Sequence, residues 1–246
     1  MVTPTSQRDE RGITSAYVSA GIRKWWLKSV FGLAALAAVL FLLDGGWNWW
    51  EAWAYLGLSI GGTLLISLTV ARANPELLAI RGHGGIKPGT KSWDRVLIPL
   101  IAFSASVGIW IISGLDFRFG WSPPVPIAVW VAAGALWIAA MLWVDWALVV
   151  NKFFEASVRI QEDRGHTVVT TGPYRYMRHP GYAAAIVMSL AAPLLLGSWL
   201  ALMSGGLAAG LFILRTALED RTLRAELAGY QEYARRVRYR LLPGIW

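Results

Sequence analysis

The chain of 246 residues is 56% hydrophobic and only 15% charged, with 15 Trp and a mean hydropathy of +0.46, a composition too apolar for an ordinary water-soluble domain of this length. It has no cysteine, which excludes disulfides, thiolate nucleophiles and Cys-ligated metal, and His83, His166 and His179 are too scattered to suggest a histidine metal centre. The net charge of +8 points to nucleic acid only where no other cause explains the basic residues.

Residues 1–20 are polar and are expected to be loosely ordered. A spanning helix needs ~20 mostly apolar residues, because in hydrocarbon every backbone amide must be satisfied within the segment. Residues 28–43, 52–71, 95–115 and 125–150 meet that requirement, and 181–217 is long enough for a tight hairpin of two more. Residues 181–196 rise only ~24 Å at 1.5 Å per residue, so the expected count is six, with a range of five to six. The first apolar run follows a basic stretch as a signal peptide would. It ends in Asp44-Gly45-Gly46 without a small-x-small site, and it is read as an uncleaved helix.

The basic residues test this count. Lys and Arg collect in cytoplasmic loops, and here every one except Arg118 falls before helix one, between helices two and three, after helix four or after helix six. That alternation fits six helices with both termini cytoplasmic. It accounts for the charge without nucleic acid. Trp47, Trp49, Trp50 and Trp53 on one side and Trp25, Trp26 and Trp93 on the other are expected to be interfacial anchors. The fold class is therefore an all-α, multi-pass transmembrane bundle with a C-terminal amphipathic helix on the cytoplasmic membrane surface. It divides into a polar segment 1–27, helices one to four over 28–150, and a polar core over 151–246 built around the hairpin 181–217.

Two polar segments bracket that hairpin, so a short turn on the far side brings both out as neighbours on the near side. The first runs from Gly172 through Arg178, His179, Pro180 and Gly181 into helix five. Pro180 suits a first helical position, and the helix start with Arg178 offers a corner for a carboxylate, with His179 adding one hydrogen bond. The second holds Arg215 and Glu219 four apart on one helix face. Leu223, Leu227, Tyr230, Ala234 and Val237 then recur at helical spacing, with an interruption expected at Gly229. Asp145 lies in helix four amid Trp143, Val144 and Trp146, where an unpaired charge is expensive. It is read either as a partner for Arg175 or Arg178 or, preferably, as a bundle-facing structural group near Asn151. The run Asn151-Lys152-Phe153-Phe154 is expected to cover the site.

Residues 151–246 resemble the superfamily of isoprenylcysteine carboxyl and phospholipid methyltransferases. The resemblance rests on Arg178-His179-Pro180-Gly181-Tyr182, on Gln161 and His166-Thr167-Val168-Val169 ahead of Gly172-Pro173-Tyr174, and on Arg215-x-x-x-Glu219-Asp220 followed by Tyr230-x-x-Tyr233 and Arg240-Leu241-Leu242-Pro243. It implies that Gln161, His166, Thr167, Val168, Val169, Tyr174, Arg178, His179, Pro180, Gly181 and Glu219 contact S-adenosyl-L-methionine. Arg215 would face a lipid-like or prenylated substrate; Asn151 is a further candidate for contact with that substrate, and Arg215, Glu219 and His179 are the candidate catalytic residues. Two departures are Ala184, where the family commonly has glycine, and Asp220, the second of a usual pair of glutamates. A sulfonium needs an anionic or aromatic partner, which Glu219 and Tyr174 can supply. A carboxylate acceptor needs no base, whereas an amine or thiol would need Glu219 or His179 as one.

The implied partners are membrane lipids and a lipid-like acceptor, with no metal and no nucleic acid. The alternative activities are methylation of a phospholipid amine or a small thiol. A sterol-reductase-like enzyme using NADPH is the rival reading, although such enzymes resemble larger bundles. A scaffold or transporter would place ionisable groups in several helices, and only Asp145 is so placed.

Overall fold

The computed structural model describes residues 15–44 and 46–246. The stretch 1–14, which holds Arg8, Arg11 and most of the expected polar segment, lies outside the described residues. Among those described there is no strand. The chain forms α1 (Ser15–Asp44), α2 (Trp50–Ala73), α3 (Pro75–His83), α4 (Ser92–Ala102), a π-helical turn (Phe103–Gly108), α5 (Ile109–Phe119), α6 (Ile127–Val150), α7 (Pro180–Leu195), α8 (Leu202–Glu226) and α9 (Tyr230–Arg236). Five helical runs are long and apolar enough to cross a membrane, with α4, the π turn and α5 counting as one. The sixth, α7, is shorter, at 16 residues. The protein is a multi-pass helical membrane protein.

Local chemistry explains the irregularities. Pro99 inside α4 removes an amide from the helical ladder, and the wider turn that follows leaves the Ser104 carbonyl free to accept a hydrogen bond from Ser204 Oγ on α8 (2.9 Å). Helix α3 was not expected from the sequence. Asn74 interrupts the helical path at φ −140°, Pro75 opens the next helix, and the Asn74 amide donates to the carbonyls of Leu148 and Val149 at the end of α6. One side chain thus ends α2, precedes α3 and caps α6.

The hairpin closes over residues 196–201, where Ser198 Oγ accepts the Ala201 amide (3.1 Å). Its two helices approach so closely that a Cβ on Gly205 would stand 2.3 Å from the Ser189 carbonyl oxygen, the small-residue packing that membrane helices use in place of a hydrophobic driving force. The main core gathers Leu36, Leu40, Tyr55, Ile109, Trp137, Ala192 and Leu195 from five helices.

Two sequence expectations change here. Trp49 is fully buried and stacks on Phe117 at 4.8 Å, so it is a core residue, while Trp47, Trp50 and Trp53 remain exposed as anchors would. Asp145 accepts a hydrogen bond from Thr69 Oγ1 on α2 (2.5 Å) and joins two helices of the bundle, in line with the preferred reading of it as a structural group. The C-terminal apolar stripe exists, with its break at Gly229 (φ +79°), but it faces protein. Leu227, Tyr230, Tyr233 and Ala234 pack on Ile160 and Val168 of the segment before α7, because that segment offers the nearer apolar surface.

Candidate active site

The segment between α6 and α7 has only short helical turns, so its polar groups need individual partners. They have them. Asn151 Oδ1 accepts the Phe153 amide (2.9 Å), and Asn151 Nδ2 donates to the Tyr174 hydroxyl (2.8 Å). Buried Gln161 donates to the Phe153 carbonyl and accepts from Arg164 Nη1, both at 2.7 Å. The Tyr233 hydroxyl donates to the Tyr174 carbonyl (2.7 Å), which fastens α9 to this wall.

Facing the wall are the start of α7, the end of α8, and α9. The cleft between them contains about 790 Å³ of empty space, its open mouth included. Gln161, His166, Thr167, Val168, Val169, Tyr174, Arg178, His179, Pro180, Gly181 and Glu219 all line it, and so does Asn151. His179 and Glu219, from the two ends of the hairpin, face one cleft. Gly181 is also a packing requirement, since a Cβ there would stand 2.2 Å from the Phe154 ring. Ala184 is buried away from the cleft lining, so its departure from the family pattern falls outside the cleft.

Two buried carboxylates that received little weight in the sequence organise the charges. Asp220 accepts from Arg178 Nε (2.6 Å) and Nη2 (3.1 Å), from Arg224 Nε and Arg240 Nε (3.0 Å each) and from the Tyr230 hydroxyl (3.0 Å). Arg178 Nη1 donates to the Val237 and Arg238 carbonyls, both at 2.7 Å. The guanidinium expected to hold a carboxylate is thus neutralised and tied to the tail. His179 Nε2 lies 3.3 Å from the Tyr230 hydroxyl and 3.5 Å from Asp220. Asp94, fully buried at the start of α4, accepts from Arg215 Nε (2.7 Å) and Nη2 (3.0 Å) and from the Val158 amide (2.6 Å). Arg215 therefore pairs with Asp94 and not with Glu219. It lies outside the cleft lining, with its guanidinium carbon 5.2 Å over the ring of Tyr182, which does line the cleft.

The Tyr182 hydroxyl donates to Glu219 Oε2 (2.5 Å), and the His179 and Tyr182 rings stack with centroids 5.8 Å apart. The sequence carried Tyr182 only as a motif letter. Burial, reinforced by Arg159 and Arg164, pushes the His166 imidazole down to about 4, so it is neutral at pH 7. Its Nδ1 accepts the Gln161 amide at 3.4 Å. Burial raises the Tyr174, Tyr230 and Tyr233 phenols, which stay protonated.

A helical bundle that crosses the membrane several times and carries a polar, aromatic-lined cleft beyond one end defines a membrane protein with a small-molecule site. Residues 130–225, which run from α6 through α8 and supply most of that cleft, match the model of the isoprenylcysteine carboxyl methyltransferase (ICMT) family. This is the family that the motifs resemble, and the coarse activity it carries is methyl transfer at a membrane. No curated protein matches the chain.

Proposed function

We propose that the protein transfers a methyl group from S-adenosyl-L-methionine to a lipid-borne carboxylate of the prenylcysteine type, with the cleft on the cytoplasmic side. The match over residues 130–225 supports methyl transfer. The observation that carries the rest is the state of the cleft's proton acceptors. Glu219 accepts from Tyr182, Glu155 is paired with Arg159 and Arg164, His166 Nδ1 accepts an amide, and His179 Nε2 is engaged by Tyr230 and Asp220. An acceptor already ionised at neutral pH needs none of them.

The chemical make-up of the cleft suits such a cofactor. Glu219 and the tyrosine rings offer an anionic and aromatic surface for a sulfonium, and α7 opens on the cleft at Pro180 and Gly181 with its positive end toward a carboxylate. When bound, the cofactor would supply a methyl carbon open to in-line attack by a carboxylate oxygen, with the electron pair of the broken carbon–sulfur bond left on sulfur and no proton to move. The protein's part is positioning and exclusion of water. Phe153, Phe154 and Tyr182 form the apolar side of the cleft. The concentration of basic residues on the cleft side supports its cytoplasmic orientation.

The test is methyl transfer in lipid nanodiscs from methyl-labelled donor to N-acetyl-S-farnesylcysteine. The expected product is a base-labile ester, and Glu219→Gln lowers kcat/KM on the order of 10²-fold, as for loss of one preorganised electrostatic contact. A base-stable product on an amine or thiol acceptor, with none on the carboxylate, contradicts the proposal.

A further inference from the structure

Arg81 is a partly buried arginine with no place in the chemistry so far. It sits on α3, outside the segment that matches the methyltransferase family. Its Nη1 donates to the Phe154 carbonyl (3.0 Å), and its guanidinium carbon lies 5.7 Å from the Phe154 ring and 5.9 Å from the Trp25 ring. Its Nε is buried and has no hydrogen-bond partner. Among the described residues no carboxylate forms an ion pair with it, whereas Arg215 beside it has Asp94 and Arg178 has Asp220. Burial lowers its affinity for a proton, Arg215 adds to that, and Glu155 and Tyr182 oppose it, so these charges share one neighbourhood.

A partly buried cation of this kind is costly, because Glu155, already shared with Arg159 and Arg164, offsets only part of the desolvation of the guanidinium. Aromatic faces and one carbonyl recover only part of that. An anionic ligand would complete the set, and the position favours one. Phe154 lines the cleft and packs on Gly181 at the start of α7, and Tyr182 lines the cleft from the other side of that glycine. Arg81 thus stands behind the cleft wall, against the Phe154 ring, with an Nε that has no partner.

Resting on the methyl-transfer reading, we infer that Arg81 receives the anionic group of the acceptor, and that it is this cation, not the Asp94-neutralised Arg215, that selects a carboxylate over a neutral head group. The assignment gives α3 a role in substrate choice.

Binding, not turnover, tests it. In nanodiscs of zwitterionic lipid with S-adenosylhomocysteine present, the affinities of N-acetyl-S-farnesylcysteine and its neutral carboxamide are measured for the unaltered protein, Arg81→Gln and Arg81→Lys. The unaltered protein is expected to prefer the carboxylate by about tenfold or more, as one charge-assisted contact provides. Arg81→Gln should bind both forms equally, with carboxamide affinity unchanged, and Arg81→Lys should recover part of the preference. Equal affinities in the unaltered protein, absence of carboxylate binding, or a preference that survives in Arg81→Gln overturns the assignment. A parallel loss of both ligands and of S-adenosylhomocysteine in Arg81→Gln also overturns it, by making Arg81 a support of the fold. Failure of the unaltered protein to bind S-adenosylhomocysteine is a separate result, which removes the methyl-transfer reading itself.

Discussion

Asp220 divides its two oxygens among Arg178, Arg224, Arg240 and the Tyr230 hydroxyl, and these bonds hold Arg178 and His179 in the cleft lining. Replacing it with asparagine leaves the buried Arg178 guanidinium uncompensated, which costs about 3–5 kcal/mol. Thermal unfolding of Asp220→Asn in detergent should show a clear fall in melting temperature, together with weaker S-adenosylhomocysteine binding. His166 gives a pH prediction. Its folded-state value of about 4 lies below the ~6.5 of an unperturbed histidine, so the unfolded chain takes up the proton first. Its contribution is present above pH 6.5 and is lost as pH falls toward 4. Between pH 7 and 5 the melting temperature of His166→Gln should therefore fall less than that of the unaltered protein. The sequence pointed to Arg178 and His179 because the motif is local. It did not show that Arg178 answers to Asp220, because that depends on how α8 and the tail pack.

Among the elements, the hairpin carries the site, and its close crossing at Gly205 is what sets the spacing of its two polar ends. Gly205→Val would place a side chain against the Ser189 carbonyl, 2.3 Å from where a Cβ falls, and such overpacking costs ~1–3 kcal/mol. The expected outcome is a lower melting temperature and weaker S-adenosylhomocysteine binding, measured side by side, although the substitution lies far from the cleft. The long spans were legible because apolar length alone specifies them. Helix α3 was not, since its nine residues are too few and too mixed to stand out within the basic stretch that follows α2. The C-terminal helix showed its apolar stripe and its break at Gly229, but periodicity cannot say whether a stripe faces lipid or protein. Here Ile160 and Val168 decide it.

For the whole molecule, two buried ion pairs tie distant parts of the chain to the cleft. Asp94–Arg215 joins the start of α4 to α8 and, through the Val158 amide, to the cleft wall, and Arg178–Asp220 joins the start of α7 to α8 and the tail. Sequence position predicted that the two polar segments would meet, because a hairpin leaves them little alternative. It did not predict that the first half of the chain reaches the site, since Asp94 looks like an ordinary first-turn acid until its burial is seen. The central claim is that one cleft built from both segments binds S-adenosylmethionine, and calorimetry of the detergent-solubilised protein with S-adenosylhomocysteine tests it most directly. Saturable one-to-one binding, weakened at least about tenfold by either His179→Ala or Glu219→Ala in protein that still unfolds cooperatively, is the predicted result. Binding of NADPH but not of S-adenosylhomocysteine, or S-adenosylhomocysteine binding indifferent to both substitutions, would contradict it.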